Sequence, residues 1–579
     1  MYEKLHKVER LMFDAMGIGL VLFYSYSAVL QPAATQYHRG IYVVITYVLV
    51  LMLYRTPGVA GRVWDYFLML VSVVALGYWI VNFEAINYRA GAETELDQWV
   101  AMAGVLVGIE IARRVVGTVF VVIGTVMLLY GVFGDSEMIP EVLQHAGDTF
   151  PLLCTSIFYK SDGVFGIMAN VLATYIILFV IFGAFLEKSG AQRFFIDFPL
   201  AAVGHKIGGP GKVSVIASGL FGSISGSAIA NTVSTGAFTI PMMKKAGFKP
   251  HVAGGIEPAA SIGGMFMPPI MGAGGFIMAE LTGLPYSQIM LVAIFPALMY
   301  FFSVFMMVHY EAKKENIVGE KSKRSAKEIL RKEWFYILPL VAITILMLMG
   351  YSPGYSAILG IVTCIAVSWF RKDTRIDLKG FVDASRSGAE TSLKIGATVG
   401  VIGIIIGVLT YSGLILTFAD IVIDLAEGRL WLTILLVALA SLVLGMGVPV
   451  TAAYLITAVV AVPALTHLGV NELAAHMIVY WLSQDSNITP PVCIAAFAGA
   501  TIAKASMWAT AWVAFKFAKF LYLAPFIFGY VPAFSLDGSA MDIAITFVLV
   551  FFGTWAYSWF LSGIWLKRKP KAAAAGEQN

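Results

Sequence analysis

The sequence predicts an all-α integral membrane protein of about fourteen transmembrane helices and two re-entrant hairpins, set in inverted repeats. Three observations predict it. Hydrophobic residues make up 59% of the 579 and charged residues 13%, where a soluble domain carries about 25% charged. Apolar stretches able to cross a bilayer, or nearly so, recur along the whole chain. Residues 228–273 also align without a gap on residues 450–495, so Pro241 meets Pro463, Gly247 meets Gly469, Ser261 meets Ser483, and Pro268-Pro269 meets Pro490-Pro491.

Taken in order, the crossing stretches are 11–30, 41–54, 65–83, 98–112, 116–134, 168–188, 251–283, 288–310, 335–351, 354–370, 392–412, 473–504, 508–528 and 542–563. Two more, 211–244 and 430–467, are broken in the middle by SISGS and GMGVP, and each reads as a hairpin that enters and leaves on one side. Basic residues support this order. Lys4 to Arg10, Arg55 and Arg62, Arg113 and Arg114, Lys188 to Lys212, Lys244 to Lys249, Lys313 to Lys332, Arg371 to Arg386 and Lys567 to Lys571 all fall on the cytoplasmic side under one assignment. Both termini are then cytoplasmic, the acidic loop Glu84 to Asp97 is outside, and an odd number of crossings between the repeats inverts the second.

The expected organisation is a helical front module over 1–134, an extracytoplasmic connection over 135–167, and a first repeat over 168–370. A second repeat over 371–528 and a terminal helix with a disordered tail over 529–579 complete it. The hairpins are 211–244 and 430–467, and the broken helices 251–283 and 473–504. A membrane chain that contains itself twice has two nearly equivalent states, which suits transport.

Chemistry concentrates at the breaks. In GLFGSISGSAIANTV the small residues Ser223, Ser225, Gly226 and Ser227 free backbone carbonyls, and Asn231 adds a side-chain oxygen one turn later. Such hard oxygens suit a small cation; close packing of small residues is the alternative. The counterpart tip holds Gly445, Gly447, Pro449 and Thr451. Opposite the hairpins lie SIGGMFMPP (Ser261 to Pro269) and SQDSNITPP (Ser483 to Pro491), whose Pro doublets read as starts of half-helices. Partial positive charge at a helix start can hold a carboxylate. No Arg or Lys lies between Lys212 and Lys244, between Gly254 and Ala312, or between Arg429 and Lys504. An anionic cargo would therefore lean on helix ends, hydroxyls and co-bound cations. Asp485 and Glu257 are the carboxylates expected at membrane depth, where such groups pair, bind a cation or take up a proton. Asp14 and Glu110 read as scaffold contacts.

Other classes are excluded. The net charge of +4 comes from short loops between apolar stretches, so no nucleic acid is expected. Cys154, Cys364 and Cys493 lack metal or redox spacing, and His205, His251 and His476 do not cluster, so no transition metal and no cofactor are expected. No Walker, G-x-S-x-G or HExxH motif points to an enzyme. The N-terminus carries no cleavage signal, so its first helix is read as retained.

The stretches GSISGSAIANTVSTGAFTIPMMKKAGF, EPAASIGGMFMPPIMGAGGFIMAE, LGMGVPVTAAYLITAVVAVPAL and SQDSNITPPVCIAAFAGATIA resemble the signatures of TRAP transporters, the tripartite ATP-independent periplasmic class, and most closely its TAXI branch. FGAFLEKSGAQRFFIDFPLAAVG adds to the likeness, which covers roughly 160–530.

The resemblance implies a multi-pass permease of the bacterial inner membrane, related to the ion transporter superfamily, with the small subunit fused at the front. It implies an elevator motion, with amphipathic arms at Phe194 to Lys206 and Leu414 to Glu427, driven by Na+ or H+, and a periplasmic substrate-binding protein as partner. A monomer in lipid is expected. Carried over residue by residue, one cation site draws on Ser223, Ser225, Gly226, Ser227, Asn231, Ser261 and Gly263. A second draws on Gly445, Gly447, Thr451, Asp485, Ser486, Asn487 and Thr489. Ser225, Ser227, Asn231, Pro268, Thr451, Asn487 and Pro490 would meet a small organic anion, a dicarboxylate such as 2-oxoglutarate or a glutamate-like acid. Asp485 and Glu257 are the proton-coupling candidates. The alternative is a divalent-anion:cation symporter that needs no binding protein.

Overall fold

The computed structural model describes residues 2–566; the expected tail, Lys567–Asn579, lies outside them. Among the described residues every named element is a helix, and the one bridge of extended backbone joins Ile207 to Val318. Nine helices among the described residues are long and apolar enough to cross a membrane, including Lys7–Val29, Thr35–Leu53, Gly58–Val81, Ile167–Lys188, Tyr286–Glu315 and Ala540–Ser562.

Local chemistry sets the ends. The stretch 98–112 becomes the helix Glu95–Val115, started by a capping box in which Thr94 and Asp97 satisfy each other's backbone amides. Glu110 inside it is held by Arg113 and Arg114, each 2.7 Å away, on the next turn, and Asp14 accepts from the Tyr2 hydroxyl at 2.7 Å. Ser325, Ser352, Asp377 and Ser539 cap four further helices with their side-chain oxygens.

The connection 135–167 contains a helix that the sequence reading lacks, Phe150–Tyr159, with Pro151 in its first turn and Leu153, Ile157 and Phe158 buried. Ten residues rise only about 15 Å, so the run is too short to register as a span. The Pro doublets differ from expectation too. The second half-helices begin at Gly274 and Ile494, several residues past the prolines. Between doublet and helix the chain passes through left-handed residues, Met271 and Gly272 in one repeat and Cys493 in the other, a conformation that interrupts a right-handed helix. The start-of-helix amides therefore belong to residues near 274 and 494 rather than to Pro268 and Pro490.

The 222-residue shift survives folding. The second hairpin arms, Ala228–Lys245 and Val450–His467, differ by that shift at both ends, and each carries its proline, Pro241 or Pro463, at the same register. The helices that follow, Pro250–Gly263 and Glu472–Leu482, begin at the same shift.

The chain forms two compact units. One comprises Met1–Gln192, Pro269–Met290 and Phe335–Asp485, the other Arg193–Pro268, Leu291–Trp334 and Ser486–Asn579. The boundaries cut both broken helices at their breaks, after Pro268 and after Asp485. In the second unit the hairpin arms Gly209–Ser225 and Ala228–Lys245 pack on Pro250–Gly263, which packs in turn on Ile494–Ala503 and Met507–Phe517. In the first unit the arms Leu430–Leu444 and Val450–His467 pack on Glu472–Leu482. The expected arms are the helices Ala191–Val203 and Leu414–Leu425.

Candidate functional site

At the tip of the first hairpin, Gly209–Ser225 ends because Gly226 turns left-handed, φ 63°, a conformation only glycine adopts freely. Ser227 then caps Ala228–Lys245 by accepting from the Ala230 amide at 3.3 Å. Ser223 spends its hydroxyl on the Leu220 carbonyl at 2.9 Å, and Ser225 Oγ lies 3.5 Å from the Ser227 carbonyl. The expected hydroxyl ligands are thus largely engaged with their own backbone.

One turn in, Asn231 is fully buried and joins three helices. Its Nδ2 donates to the carbonyls of Ser218 (2.9 Å) and Ser261 (3.4 Å). These bonds orient the amide so that Oδ1 is the buried acceptor left without a partner among the described residues. The close approach that permits this depends on Gly222 and Gly264: a Cβ on Gly264 would lie 2.4 Å from the Gly222 backbone. Gly263 ends its helix against Tyr300 and Phe301, which a Cβ would meet at 2.7 Å.

Deeper in the same bundle sits Glu257, with no accessible surface. Five hydroxyls donate to its carboxylate. Ser218 reaches Oε1 at 2.5 Å and Ser261 reaches it at 3.3 Å; Thr235 also donates to Oε1, and Ser214 and Thr239 donate to Oε2. No ion pair is formed by Glu257 among the described residues. Two of the hydroxyls have a second acceptor: Thr235 Oγ1 lies 2.7 Å from the Asn231 carbonyl and Thr239 Oγ1 lies 3.1 Å from the Thr235 carbonyl. This arrangement satisfies the group in either protonation state. With the carboxylate charged, the hydroxyls donate to it; with a proton on it, Glu257 donates to a hydroxyl, which turns its own hydrogen to a backbone carbonyl.

The second repeat is built differently. Asp485 opens a single 3-10 turn, Asp485–Asn487, and it and Ser486 and Asn487 are buried. Asp485 closes the first unit, while Ser486, Asn487, Thr489 and Pro490 belong to the second, where Thr489 Oγ1 meets the Tyr522 hydroxyl at 2.6 Å. In the first unit Thr451 Oγ1 is buried without a partner among the described residues, Gly445 caps Leu430–Leu444, and a Cβ on Gly447 would strike Val119 at 2.2 Å. Packing alone is thus enough to require Gly447.

A protein-family model described as "Tripartite ATP-independent periplasmic transporter, DctM component" matches residues 103–534. The chain belongs to that family. Members are the permease component of the three-part TRAP system, which is a transporter class and not an enzyme class.

The match contains every residue of the Glu257 nest. The 2,3-diketo-L-gulonate TRAP transporter large permease protein of Escherichia coli K12 is 25% identical over 246 residues, 42% of this chain and 51% of that protein. The C4-dicarboxylate TRAP transporter large permease protein of Pseudomonas aeruginosa is 25% identical over 362 residues, 62% and 84%. The sialic acid TRAP transporter large permease protein of Vibrio cholerae is 22% identical over 346 residues, 59% and 80%.

Sequence reasoning named Glu257 but missed four of its five partners in this TRAP permease: Ser214, Ser218, Thr235 and Thr239. A signal existed. Ser214 and Ser218, Thr235 and Thr239, and Glu257 and Ser261 are three (i, i+4) pairs, so each lies on one face of its helix.

Proposed function

We propose that this TRAP permease imports a small organic anion, a dicarboxylate such as 2-oxoglutarate or a glutamate-like acid. It receives the cargo from a TAXI-type periplasmic binding protein and is driven by a proton gradient through an elevator motion in the bacterial inner membrane. Glu257 carries the proton, Asp485 completes the coupling, and residues 1–134 supply the fused small subunit. The observation that carries the proton reading is the Glu257 nest: a fully buried carboxylate with five hydroxyl partners, no ion pair among the described residues and two hydroxyls already near alternative acceptors. A carboxylate at membrane depth is costly even when hydrogen-bonded, and such groups mark coupling or cargo pathways. The cargo class is supported by the relatives, whose names give a keto-gulonate, a C4-dicarboxylate and a sialic acid, all carboxylates.

One observation favours sodium as a second reading. The buried Asn231 Oδ1 has no donor among the described residues, and a small cation beside the hairpin tip would satisfy it.

Uptake of labelled dicarboxylates into proteoliposomes, with and without the binding protein and under separately imposed H+ and Na+ gradients, decides among these. Uptake driven by the pH gradient alone and only with the binding protein is expected. A strict Na+ requirement transfers coupling to the Asn231 site, and uptake without the binding protein moves the chain to the self-sufficient symporters.

A further inference from the structure

Within the first unit lies a cavity of about 540 Å³ that the transport chemistry does not use, lined by Tyr175, Phe276, Glu280, Tyr286, Met347 and Tyr351 among others. Three aromatic rings form one wall. Phe276 stacks between Tyr175 and Tyr286, with centroids 5.6 and 4.4 Å away. The Tyr286 hydroxyl is spent on the carbonyls of Pro269 and Ile270, at 2.9 and 2.6 Å, so the ring is fixed.

Glu280 is the charged group of the lining, and its orientation is built. Arg39 donates from Nη1 to the Phe165 carbonyl (2.8 Å) and from Nε to Asn170 Oδ1 (3.2 Å). That sets the Asn170 amide, whose Nδ2 donates to Glu280 Oε1 at 2.7 Å. Arg39 gives its hydrogen bonds to Asn170 and Phe165 and acts on Glu280 only through its charge, from beyond ion-pair distance; Glu280 forms no direct ion pair among the described residues. Its second oxygen, Oε2, accepts no hydrogen bond there.

Sidedness follows from single helices. Tyr286–Glu315 has Lys313 and Lys314 at its far end. Leu338–Leu348 follows Arg331 and Lys332, and Pro353–Ser368 precedes Arg371 and Lys372. The turns that rim the cavity, Gly283–Ser287 and Gly350–Pro353, are therefore at the ends opposite the basic residues, the extracytoplasmic side.

A carboxylate with one oxygen free, in a cavity walled by aromatic and apolar side chains, recognises an organic cation through charge and hydrogen bonding while the walls pack its carbon chain. It repels an anionic cargo, so the cavity is no cargo subsite. No cluster of carboxylate, histidine or cysteine ligands that could hold a metal occurs among the described residues. We propose that the cavity receives an arginine or lysine side chain from the periplasmic binding protein when that protein docks. The inference rests on the tripartite reading above, because the binding protein is the partner presented to this face.

The test uses the full-length permease in nanodiscs and its cognate binding protein, with equilibrium binding and proteoliposome uptake read on the same preparations. Glu280→Gln keeps an acceptor for Asn170 while removing the charge. It is expected to weaken binding about tenfold or more, to flatten the dependence of binding on salt, and to leave thermal melting and maximal uptake at saturating binding protein unchanged. Glu280→Asp should lie between. If the wild type binds and Glu280→Gln binds equally well, the cavity has no docking role and the tripartite reading stands. If the wild-type permease binds no binding protein and transports alone, both fall together.

Discussion

The shift that superimposes the two repeats pairs Glu257 with Val479, Thr239 with Ala461 and Asn231 with Ala453, and in the other direction pairs Asp485 with Gly263 and His476 with Gly254. Glu257 and Val479 are both fully buried on helices that begin at the same register. One interior is a carboxylate among hydroxyls. The other is apolar and is tied by a Tyr454 hydroxyl to His476 Nδ1 contact at 3.0 Å. The backbone plan was thus copied while the polar groups were not. Packing asks only for matching volume, whereas a buried charge asks for a full set of hydrogen bonds; of the three partners inside the aligned stretch, Thr239 is replaced by Ala461, while Thr235 and Ser261 persist as Thr457 and Ser483 with no carboxylate at the paired position.

The largest expected effect comes from placing the second repeat's chemistry in the first. Glu257→Gln should reduce pH-driven uptake about a hundredfold or more with the fold retained, and Glu257→Val should also destabilise, because the hydroxyls lose their acceptor. The reciprocal Val479→Ala should leave coupling intact and cost only a cavity of about 1–2 kcal/mol. Equal loss of uptake in Glu257→Gln and Val479→Ala would mean that the asymmetry is not functional.

Next, Asp485→Asn should abolish uptake or change its pH dependence, measured as initial rate against pH; unchanged kinetics would leave Glu257 as the sole coupling carboxylate. Then comes packing. Gly264 pairs with Ser486, and Gly264→Ser would drive a Cβ into Gly222; a loss of about 1–3 kcal/mol is expected in the melting of purified permease. Replacing Ser225 and Ser227 together by Ala should raise the cation concentration for half-maximal uptake about threefold to tenfold, and no shift would leave the tip a packing element.

The smallest effect is a control on pH. The Arg89 guanidinium, 2.6 Å from Asp97, together with the hydroxyls of Thr94 and Tyr78, outweighs burial and holds the Asp97 carboxyl well below the usual carboxylate range. A folded-state pKa that is lowered gives stability present above the ordinary Asp value of about 3.9, and loses it only as pH falls toward the lower folded value. Asp97 therefore contributes no pH dependence between about pH 5 and 8. Asp97→Asn should lower thermal stability modestly and leave the pH profile of uptake unchanged; a changed profile would take the proton out of the first repeat.

Much of the architecture was legible beforehand. Hydropathy marked the apolar helices, and the repeat marked the matching helices Ala228–Lys245 and Val450–His467 and those that follow them, because membrane depth sets the length of apolar runs and duplication preserves spacing. Phe150–Tyr159 was not legible as a helix, being shorter than a span. The prolines at 268 and 490 were read as helix starts because the left-handed residues after them, Met271 and Cys493, carry no sequence mark of a positive φ. That Ser223 and Ser227 bond their own backbone was not legible either, because composition does not mark which hydroxyls serve as caps.

By itself the sequence determined the membrane class, the duplicated plan, the family motifs and the two buried carboxylates as the groups to explain, since each follows from composition, spacing or the cost of a charge in lipid. Tertiary structure alone decided what surrounds those charges. Ser214 and Ser218, Thr235 and Thr239, and Ser261 lie on three separate helices, and only their packing brings five hydroxyls to one carboxylate. Local spacing can place a side chain on a helix face, but which faces meet is settled by the close approach of backbones at Gly222 and Gly264, a property of the assembled bundle and of no single segment.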